Sequence, residues 1–267
     1  MTDQCYRPAP CGSTCVLSAH VSHTIHGCRD PHCLVCHSGA VHAAAMLERR
    51  RAVAEHAKAA GLKFIFWEPM SVGRELGHIT VLRRPEKNGL GEAYRAGLRR
   101  AIDDGAEICV QMDADLSHDP SVLPALLANV EHGADLAIGS RYVPGGRTVN
   151  WPARRRMLSR WGNRYAAGVL GLAINDATAG YRAYSSAALG RMEFETVTAD
   201  GYGFQVEMTY RLLRVEGKIV EFPITFHDRT EGVSKMSGSI IHEALLLVIK
   251  LWISDFRGRR RRRREGA

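Results

Sequence analysis

The sequence has no uninterrupted apolar run of the roughly 20 residues that a membrane-spanning helix requires. It also lacks the charged start and apolar core of a secretory signal peptide, so we expect a cytoplasmic protein. No internal repeat is apparent, which argues against a solenoid. Aromatic residues make up only 7% of the 267 residues, but 45% are hydrophobic. The chain is therefore long enough for one sizeable α/β domain, or for one domain plus an appendage.

Cysteine is almost absent beyond the first 36 residues. Six of the 7 cysteines lie near the start and one lies in the remainder: Cys5, Cys11, Cys15, Cys28, Cys33, Cys36 and Cys109. Disulfides are rare in the cytosol, so Cys28, Cys33, Cys36 and His37 raise the alternative of a zinc site. A second CxxC at zinc-finger spacing is missing. We therefore favour ordinary structural cysteines over a metal site.

The chain has more positive than negative charge. A net charge of +8 and a pI near 9.3 suggest an anionic partner, which is nucleic acid, phospholipid headgroups or a phosphorylated substrate. Six consecutive arginines at 259–264 supply much of the excess, and we read residues 257–267 as a basic, disordered tail. Adhesion of this tail to an anionic membrane is the functional alternative. We find no recognised nucleic-acid module and expect no nucleic-acid partner.

From about residue 80 onward, strand-like and helix-like patterns alternate. We predict strands at 80–82, 108–112 and 135–138, and helices at 92–103 and 121–131. Before them, a helix at 41–60 and a strand at 62–67 follow a Cys- and His-rich stretch. Strands separated by helices predict a mostly parallel sheet with flanking helices, whose ligands bind beyond the carboxyl ends of the strands.

An acidic motif follows the predicted strand at 108–112. Its sequence is DADLSHDP, in which Asp113 and Asp115 are separated by one residue. Hard carboxylate oxygens are the ligands that Mg²⁺ or Mn²⁺ requires, and such ions bind substrate phosphates at the same time. We therefore predict a site for a divalent cation and for the diphosphate of a nucleotide-sugar donor.

Basic and Gly-containing segments lie on both sides of this motif. The turn with Lys87, Gly89 and Gly91 enters a helix, and we favour a donor-binding turn over an ordinary capped turn. Downstream, Arg141 lies beside glycines and Arg155 begins a helical stretch. Arginine binds phosphate through paired donors, so both are candidates for the acceptor phosphate, with solvated arginines as the alternative.

Later segments each allow two interpretations. Aromatic residues in 176–184 and 201–207 favour packing over a sugar pocket. The loop with Arg229, Ser234 and Lys235 is either a lid over an anionic substrate or a solvated surface loop.

The final predicted helix, 240–253, is too short and too polar to span a membrane. It is either a core helix or an interfacial helix followed by an arginine block. The second interpretation predicts peripheral attachment to an anionic surface on the cytoplasmic face of the membrane.

The order of these motifs resembles family 2 glycosyltransferases of the polyprenol- or dolichol-phosphate mannose synthase type. The resemblance covers about residues 81–256, and we assign 80–256 as the catalytic region. It rests on the segments KNGLGEAYRAG, DADLSHDP, GSRYVPGG, WPARRR, DATAGYRAY, GYGFQVEM and FPITFHDRTEGVSKM. It implies a GT-A fold, GDP-mannose as donor, Mg²⁺ or Mn²⁺, and inverting attack by a polyprenyl phosphate.

The resemblance also implies roles for individual residues. Metal ligands would be Asp113, Asp115 and Ser117. Donor-binding residues would be Lys87, Gly89, Gly91 and Asp113. Catalytic residues would be Asp115, Arg141, Arg229 and Lys235, and acceptor-phosphate residues would be Arg141, Arg155 and Ser234. An ionised phosphate is already a nucleophile, so a strong general base is not required.

Residues 1–79 depart from the family pattern. The family normally begins with a Pro-Thr-Tyr-Asn-Glu-like motif and an Asp-Asp-x-Ser-x-Asp-like motif that bind the nucleotide base and ribose, and this sequence contains neither. Residues 64–76 instead resemble a fragment of a xylose-isomerase-like sugar isomerase barrel. The alternative function is therefore a catalytically impaired, truncated or fused remnant that binds phosphate and metal without turnover.

Overall fold

The structure, a computed structural model, describes residues 13–17, 20–24, 64–66, 79–82, 89–113, 117–228 and 244–254. The predicted helix at 41–60 lies outside these residues, as does the proposed zinc site at Cys28, Cys33, Cys36 and His37. Both stay predictions.

The strands in chain order are β1 (Ser13–Leu17), β2 (His20–Thr24), β3 (Phe64–Phe66), β4 (Ile79–Val81), β5 (Ile108–Gln111), β6 (Leu136–Ser140), β7 (Arg147–Val149), β8 (Arg182–Ser185), β9 (Ile219–Pro223) and β10 (Thr225–His227). The helices are α1 (Gly89–Asp103), α2 (Leu123–Glu131), α3 (Ala153–Leu170), α4 (Ser186–Arg191), α5 (Gly201–Arg214) and α6 (residues 244–254). Short 3-10 turns lie at Pro120–Val122 and Phe194–Thr196.

Most of the predicted elements from residue 80 onward are present. The predicted strands correspond to β4, β5 and β6, and the predicted helices to α1 and to the 3-10 turn with α2. The helix α1 begins at Gly89, three residues before the predicted start at 92. The 3-10 turn is capped by Asp119, whose carboxylate accepts a hydrogen bond of 2.9 Å from the Ser121 amide.

A four-stranded sheet has the order β5-β8-β6-β9. Strand β6 is parallel to β9, whereas β8 is antiparallel to both β5 and β6. Three of its strands therefore run in one direction, as the α/β pattern predicts, and a reversed strand lies between them. Two further strands, β7 and β10, pair in parallel with each other, and β10 begins two residues after the end of β9. The sequence pattern did not predict the reversed strand, because its direction depends on where the chain re-enters the sheet.

The core lies around β6 and α5. All five residues of β6 are buried, as expected for a strand covered on both faces. Residues 203–210 of α5 are also all buried, including Glu207. That carboxylate lies 2.7 Å from Arg211 and accepts a hydrogen bond from the Ala199 amide, so its burial is compensated.

A fully buried arginine joins β8 to α5. Arg182 is 0% exposed and donates to three carbonyls and two hydroxyls, those of Ala177, Ala179, Gln205, Tyr184 and Thr209. Each of these hydrogen bonds satisfies a polar group whose burial without a partner would cost free energy. The segment before β8, residues 176–181, is thereby held in place, and it provides one wall of the cavity described below.

The helix α6 corresponds to part of the predicted helix at 240–253. It buries Val248 but exposes Leu246, Ile249, Trp252 and Ile253, of which Leu246 is 52% exposed. Among the helices in the described ranges, none has the length and apolarity needed to cross a membrane.

Candidate active site

A cavity of about 510 Å³ lies beyond the carboxyl ends of β5 and β6, where sheets of this class bind ligands. Asp113 follows β5, and Arg141 follows β6 directly. The remaining walls come from α1, the entry to α3 and its first turn, the segment before β8, the start of α5 with the residues before it, β10 and α6. The lining residues are Leu90, Tyr94, Asp113, Arg141, Trp151, Arg155, Thr178, Gly180, Thr198, Ala199, Asp200, Gly201, Tyr202, Gly203, Gln205, Phe226, Ala244, Leu246, Leu247 and Lys250.

Arg141 forms a buried ion pair on the cavity wall. Its Nε and Nη2 atoms donate to the two carboxylate oxygens of Asp176 at 2.7 and 2.6 Å, and its backbone amide donates to the same carboxylate at 2.9 Å. Nη2 also donates to Thr178 Oγ1 at 2.9 Å. The side chain of Asp176 is 0% exposed and that of Arg141 is 7% exposed. Paired, planar contacts of this kind fix the orientation of the guanidinium.

Burial and charge act in opposite directions on this pair. Burial alone would lower the pKa of Arg141, but the carboxylate of Asp176 outweighs it and raises that pKa. Burial alone would raise the pKa of Asp176, but the charge and hydrogen bonds of Arg141 lower it. Both groups are therefore charged. Because the two charges offset each other, Arg141 attracts an anion less strongly than an unpaired arginine would.

Aromatic rings surround this arginine. Its guanidinium carbon lies 5.2, 5.4 and 5.5 Å from the ring centroids of Tyr142, Trp151 and Phe226. Distances below about 6 Å are within the range of cation–π attraction. The rings and Asp176 together hold Arg141 as a positioned cation at the cavity wall.

Asp113 lies on the cavity wall with 18% of its side chain exposed. Its Oδ1 atom accepts a hydrogen bond of 2.8 Å from the Tyr94 hydroxyl of α1. Its Oδ2 atom lies 3.7 Å from His118 Nε2. A Cβ added at Gly180 would lie 3.0 Å from Oδ2 of Asp113. The carboxylate therefore occupies space that a side chain at position 180 would need. A hard carboxylate oxygen thus lies on the cavity wall at the predicted metal position.

His118 is buried beside this carboxylate. Its ring centroid lies 5.0 Å from that of Tyr181 and 5.3 Å from that of Phe226. Within the part of the chain that the structure describes, neither of its ring nitrogens has a hydrogen-bond partner. The rings of Tyr181 and Phe226 pack against the imidazole and hold it beside the carboxylate of Asp113.

Ser117, the third predicted metal ligand, is completely buried and does not line the cavity. Its carbonyl accepts a hydrogen bond of 3.2 Å from the His227 amide, which joins the segment after Asp113 to β10. Among the described residues, no group of three or more His, Cys, Asp or Glu could hold a metal ion. Asp115 lies outside the described residues, so the predicted carboxylate pair is represented here by Asp113 alone.

Arg155, at the start of α3, lines the same cavity as Arg141. Its Nη1 atom lies 2.6 Å from Asp228, and its guanidinium carbon lies 4.2 Å above the ring of Trp151. Its Nε atom is buried and has no hydrogen-bond partner in the described ranges. The structure therefore brings Asp113, Arg141 and Arg155 to one cavity. Five of the other predicted site residues lie outside the described residues and stay predictions: Lys87, Asp115, Arg229, Ser234 and Lys235.

The predicted donor-binding turn reaches the cavity through Leu90. The amide of Gly91 donates a hydrogen bond of 2.6 Å to Asp200 at the start of α5. That amide is thus engaged by a carboxylate of this chain. The predicted roles of Gly89 and Gly91 in donor binding stay predictions.

Sequence reasoning missed several residues of this site. Asp176, Trp151, Tyr94 and Asp200 were not identified, although each lines the cavity or holds a residue that does. The segment 176–184 was interpreted for its aromatic residues. Tyr181, Tyr184 and Phe204 are indeed buried packing residues, while Tyr202 lines the cavity. The available signal was the acidic side chain of Asp176, the one carboxylate in the segment 176–184.

Comparison with known proteins places this chain in a family. A sequence model described as Glycosyl transferase family 2 matches residues 71–192. The chain is 50% identical over 172 residues to the undecaprenyl-phosphate mannosyltransferase of Micrococcus luteus, which covers 64% of this chain and 70% of that protein. The chain belongs to glycosyltransferase family 2. This family 2 glycosyltransferase is also 49% identical over 170 residues to the polyprenol monophosphomannose synthase of Mycolicibacterium smegmatis, over 64% of each chain.

Among solved structures, the glucosyl-3-phosphoglycerate synthase of Mycobacterium tuberculosis in complex with phosphoglyceric acid aligns with a TM-score of 0.46 and 17% identity, over 64% of this chain and 60% of that chain. The predicted family is confirmed by the family model and by these relatives, and the predicted α/β class is confirmed by the strands and flanking helices described above. The family match begins at residue 71, inside the segment 1–79 that the sequence interpretation set apart.

Proposed function

We propose that this family 2 glycosyltransferase moves mannose from GDP-mannose to a polyprenyl phosphate, with inversion and with the help of Mg²⁺ or Mn²⁺. The observation that carries the proposal is the placement of Asp113 and Arg141 at the ends of two strands that run in the same direction, on one cavity. Of the two relatives at 49–50% identity, one is named as an undecaprenyl-phosphate mannosyltransferase and the other as a polyprenol monophosphomannose synthase. Their names support both the sugar and the lipid acceptor.

The residues at Asp113 fit a hard divalent cation. Asp113 and Asp115 would hold it, and the bound cation would supply positive charge to the diphosphate leaving group. Tyr94 fixes one oxygen of Asp113, and His118 lies near the other. This support orients the carboxylate before any ligand binds, as partners behind a metal ligand commonly do.

On the acceptor side, Arg155 and Arg141 present guanidinium groups to the cavity. A lipid phosphate oxygen would attack the anomeric carbon of mannose while the bond from that carbon to the GDP oxygen breaks. Attack from the opposite face inverts the configuration. The ionised phosphate has no proton to lose in this step, so the arginines need only position the phosphate and offset its charge.

Calorimetric titration with GDP-mannose tests this proposal. We expect binding in the presence of Mn²⁺ and little or none without it, because the diphosphate and the carboxylates repel each other until a cation lies between them. Circular dichroism of the same sample checks that the protein is folded. Folded protein that fails to bind GDP-mannose with Mn²⁺ would contradict the proposal.

The alternative function, a remnant that binds phosphate and metal without turnover, is favoured by two observations. The family motifs for the nucleotide base and ribose are missing from residues 1–79, and the charge of Arg141 is offset by Asp176. A transfer assay separates the two functions. Metal-dependent binding with no mannosyl lipid formed would favour the remnant.

We further propose that the protein contacts an anionic membrane surface peripherally. Helix α6 exposes Leu246, Ile249 and Trp252 next to the cavity that it lines. Helix α3 contains five arginines and no acidic residue, and it exposes Met157 and Trp161 by 71% and 51%. Exposed apolar side chains combined with arginines give the two signals that stable interfacial binding requires. The contact would place the cavity beside the membrane that contains a polyprenyl phosphate.

Vesicle co-sedimentation tests the membrane proposal. The double variant Ile249→Ser with Trp252→Ser should weaken binding to vesicles of phosphatidylglycerol by about tenfold or more, since each buried apolar side chain contributes roughly 1.5–3 kcal/mol. Glu131→Ser, on the exposed end of α2, is the matched control and should leave binding unchanged. Equal binding by the double variant and the wild type would contradict the role of α6.

A further inference from the structure

Asp200 has an unusual place at the start of α5. It is the residue directly before the helix, with φ −121° and ψ 170°, but its side chain makes no capping hydrogen bond to α5. Its Oδ1 atom instead accepts a hydrogen bond of 2.6 Å from the amide of Gly91, which lies 109 residues earlier in the first turn of α1. The carboxylate of Asp200 thus caps the other helix.

The turn at the start of α1 fits closely around this carboxylate. Gly89 has φ +86°, in the left-handed region that favours glycine, and an added Cβ would overlap the Oδ2 atom of Asp200. At Gly91, an added Cβ would lie 2.5 Å from the carbonyl oxygen of Ala199. Only glycine at both positions lets the segment 199–200 approach the turn this closely.

The same helix turn leads to Asp113. One turn after Gly91, Tyr94 donates its hydroxyl hydrogen bond to Asp113 Oδ1, and its ring stacks on Phe204 of α5 at a centroid distance of 5.6 Å. Leu90, Tyr94, Asp113 and Asp200 all line the cavity. Asp200 therefore holds the start of α1 through the Gly91 amide, and α1 in turn holds the carboxylate of Asp113 through Tyr94.

We propose that Asp200 is a positioning residue, which fixes the turn at Gly89–Gly91 and, through Tyr94, the orientation of Asp113. A carboxylate is well suited to this because it satisfies an amide at the start of a helix, where negative charge is favoured. The step from this clamp to donor binding rests on the proposed function. Asp200 acts through the turn, not on the reacting atoms.

Two variants separate positioning from direct chemistry. Asp200→Asn keeps an oxygen that accepts the Gly91 hydrogen bond, whereas Asp200→Ala removes it. Hydrogen exchange of the segment 89–95, followed by mass spectrometry, should become at least tenfold faster in Asp200→Ala and change by less than threefold in Asp200→Asn. Asp104→Ala, at the exposed far end of α1, is the matched control and should leave exchange in 89–95 unchanged.

The same variants are then assayed for transfer. Asp200→Ala should raise the KM for GDP-mannose about tenfold with a smaller change in kcat, and Asp200→Asn should restore the KM to within about threefold of the wild type. Unchanged exchange in Asp200→Ala would overturn the clamp. An equal loss of kcat in Asp200→Ala and Asp200→Asn would overturn the positioning role, because it would assign the carboxylate to the reacting atoms.

Failure of the proposed function gives a different pattern. Wild-type protein that neither binds nor transfers mannose from GDP-mannose would sink that function, while the exchange experiment on Asp200 would still decide whether the clamp exists.

Discussion

Asp113→Asn should reduce mannosyl transfer on the order of 10³-fold. A cation at the diphosphate contributes several kcal/mol to the transition state, and each ~1.4 kcal/mol changes the rate tenfold. The substitution keeps the size of the side chain and its acceptor for the Tyr94 hydroxyl, but removes the negative charge that would bind the cation. Transfer is measured with GDP-mannose and a short polyprenyl phosphate at several Mn²⁺ concentrations.

Metal binding provides a second measurement that does not depend on turnover. Electron paramagnetic resonance of Mn²⁺ should show weaker binding in Asp113→Asn and in Asp115→Ala than in the wild type. Glu131→Gln, an exposed carboxylate at the end of α2, is the matched control and should match the wild type in both measurements. Undiminished transfer in either aspartate variant would contradict an essential metal carboxylate.

Asp176→Asn should lower the free energy of unfolding by about 3–5 kcal/mol. The variant leaves the buried guanidinium of Arg141 without its counter-charge, and breaking a buried pair from one side is strongly destabilising. Urea unfolding at pH 7 measures the change. The double variant Arg141→Met with Asp176→Asn should recover part of the loss, because no unpaired charge remains buried. Surface substitutions usually change the free energy of unfolding by less than about 0.5 kcal/mol. A loss below that value in Asp176→Asn would contradict a stabilising role of the ion pair.

The pH dependence of this difference has a defined direction. The pKa of Asp176 is lowered in the folded state by Arg141, so the unfolded state binds the proton more readily. The stability contributed by the pair is then fully present above the unfolded value of about 3.9 and is lost as the pH falls through the lower folded value. The difference between wild type and Asp176→Asn should stay constant from pH 8 to about 5 and shrink only below about pH 4.

The ion pair of Arg141 and Asp176 also bears on the two candidate functions. The double variant of Arg141 and Asp176 removes a cation from the cavity wall without leaving a buried charge behind. If that variant is folded and has lost transfer while it still binds GDP-mannose, Arg141 acts on the acceptor phosphate or on developing charge. If transfer is unchanged, the pair serves the fold alone.

Local patterns in the sequence determined much of what surrounds the site. The helices α1 and α2 and the strands β5 and β6 follow from the spacing of their apolar residues, because that spacing decides which face each element buries. The position of Asp113 just beyond a buried strand, and therefore at the ligand-binding edge of the sheet, follows from the same pattern. The order of motifs was sufficient to predict family 2 membership.

Only the tertiary structure decided which side chains meet. Arg141 and Asp176 are 35 residues apart, and Gly91 and Asp200 are 109 residues apart. The reversed direction of β8 likewise depends on the path of the chain through α3 and the segment before Arg182. Local patterns report the periodicity and turn preferences of neighbouring residues. These pairs form instead because the packing of distant segments takes charged and polar groups out of water, and each group then needs protein partners in place of water.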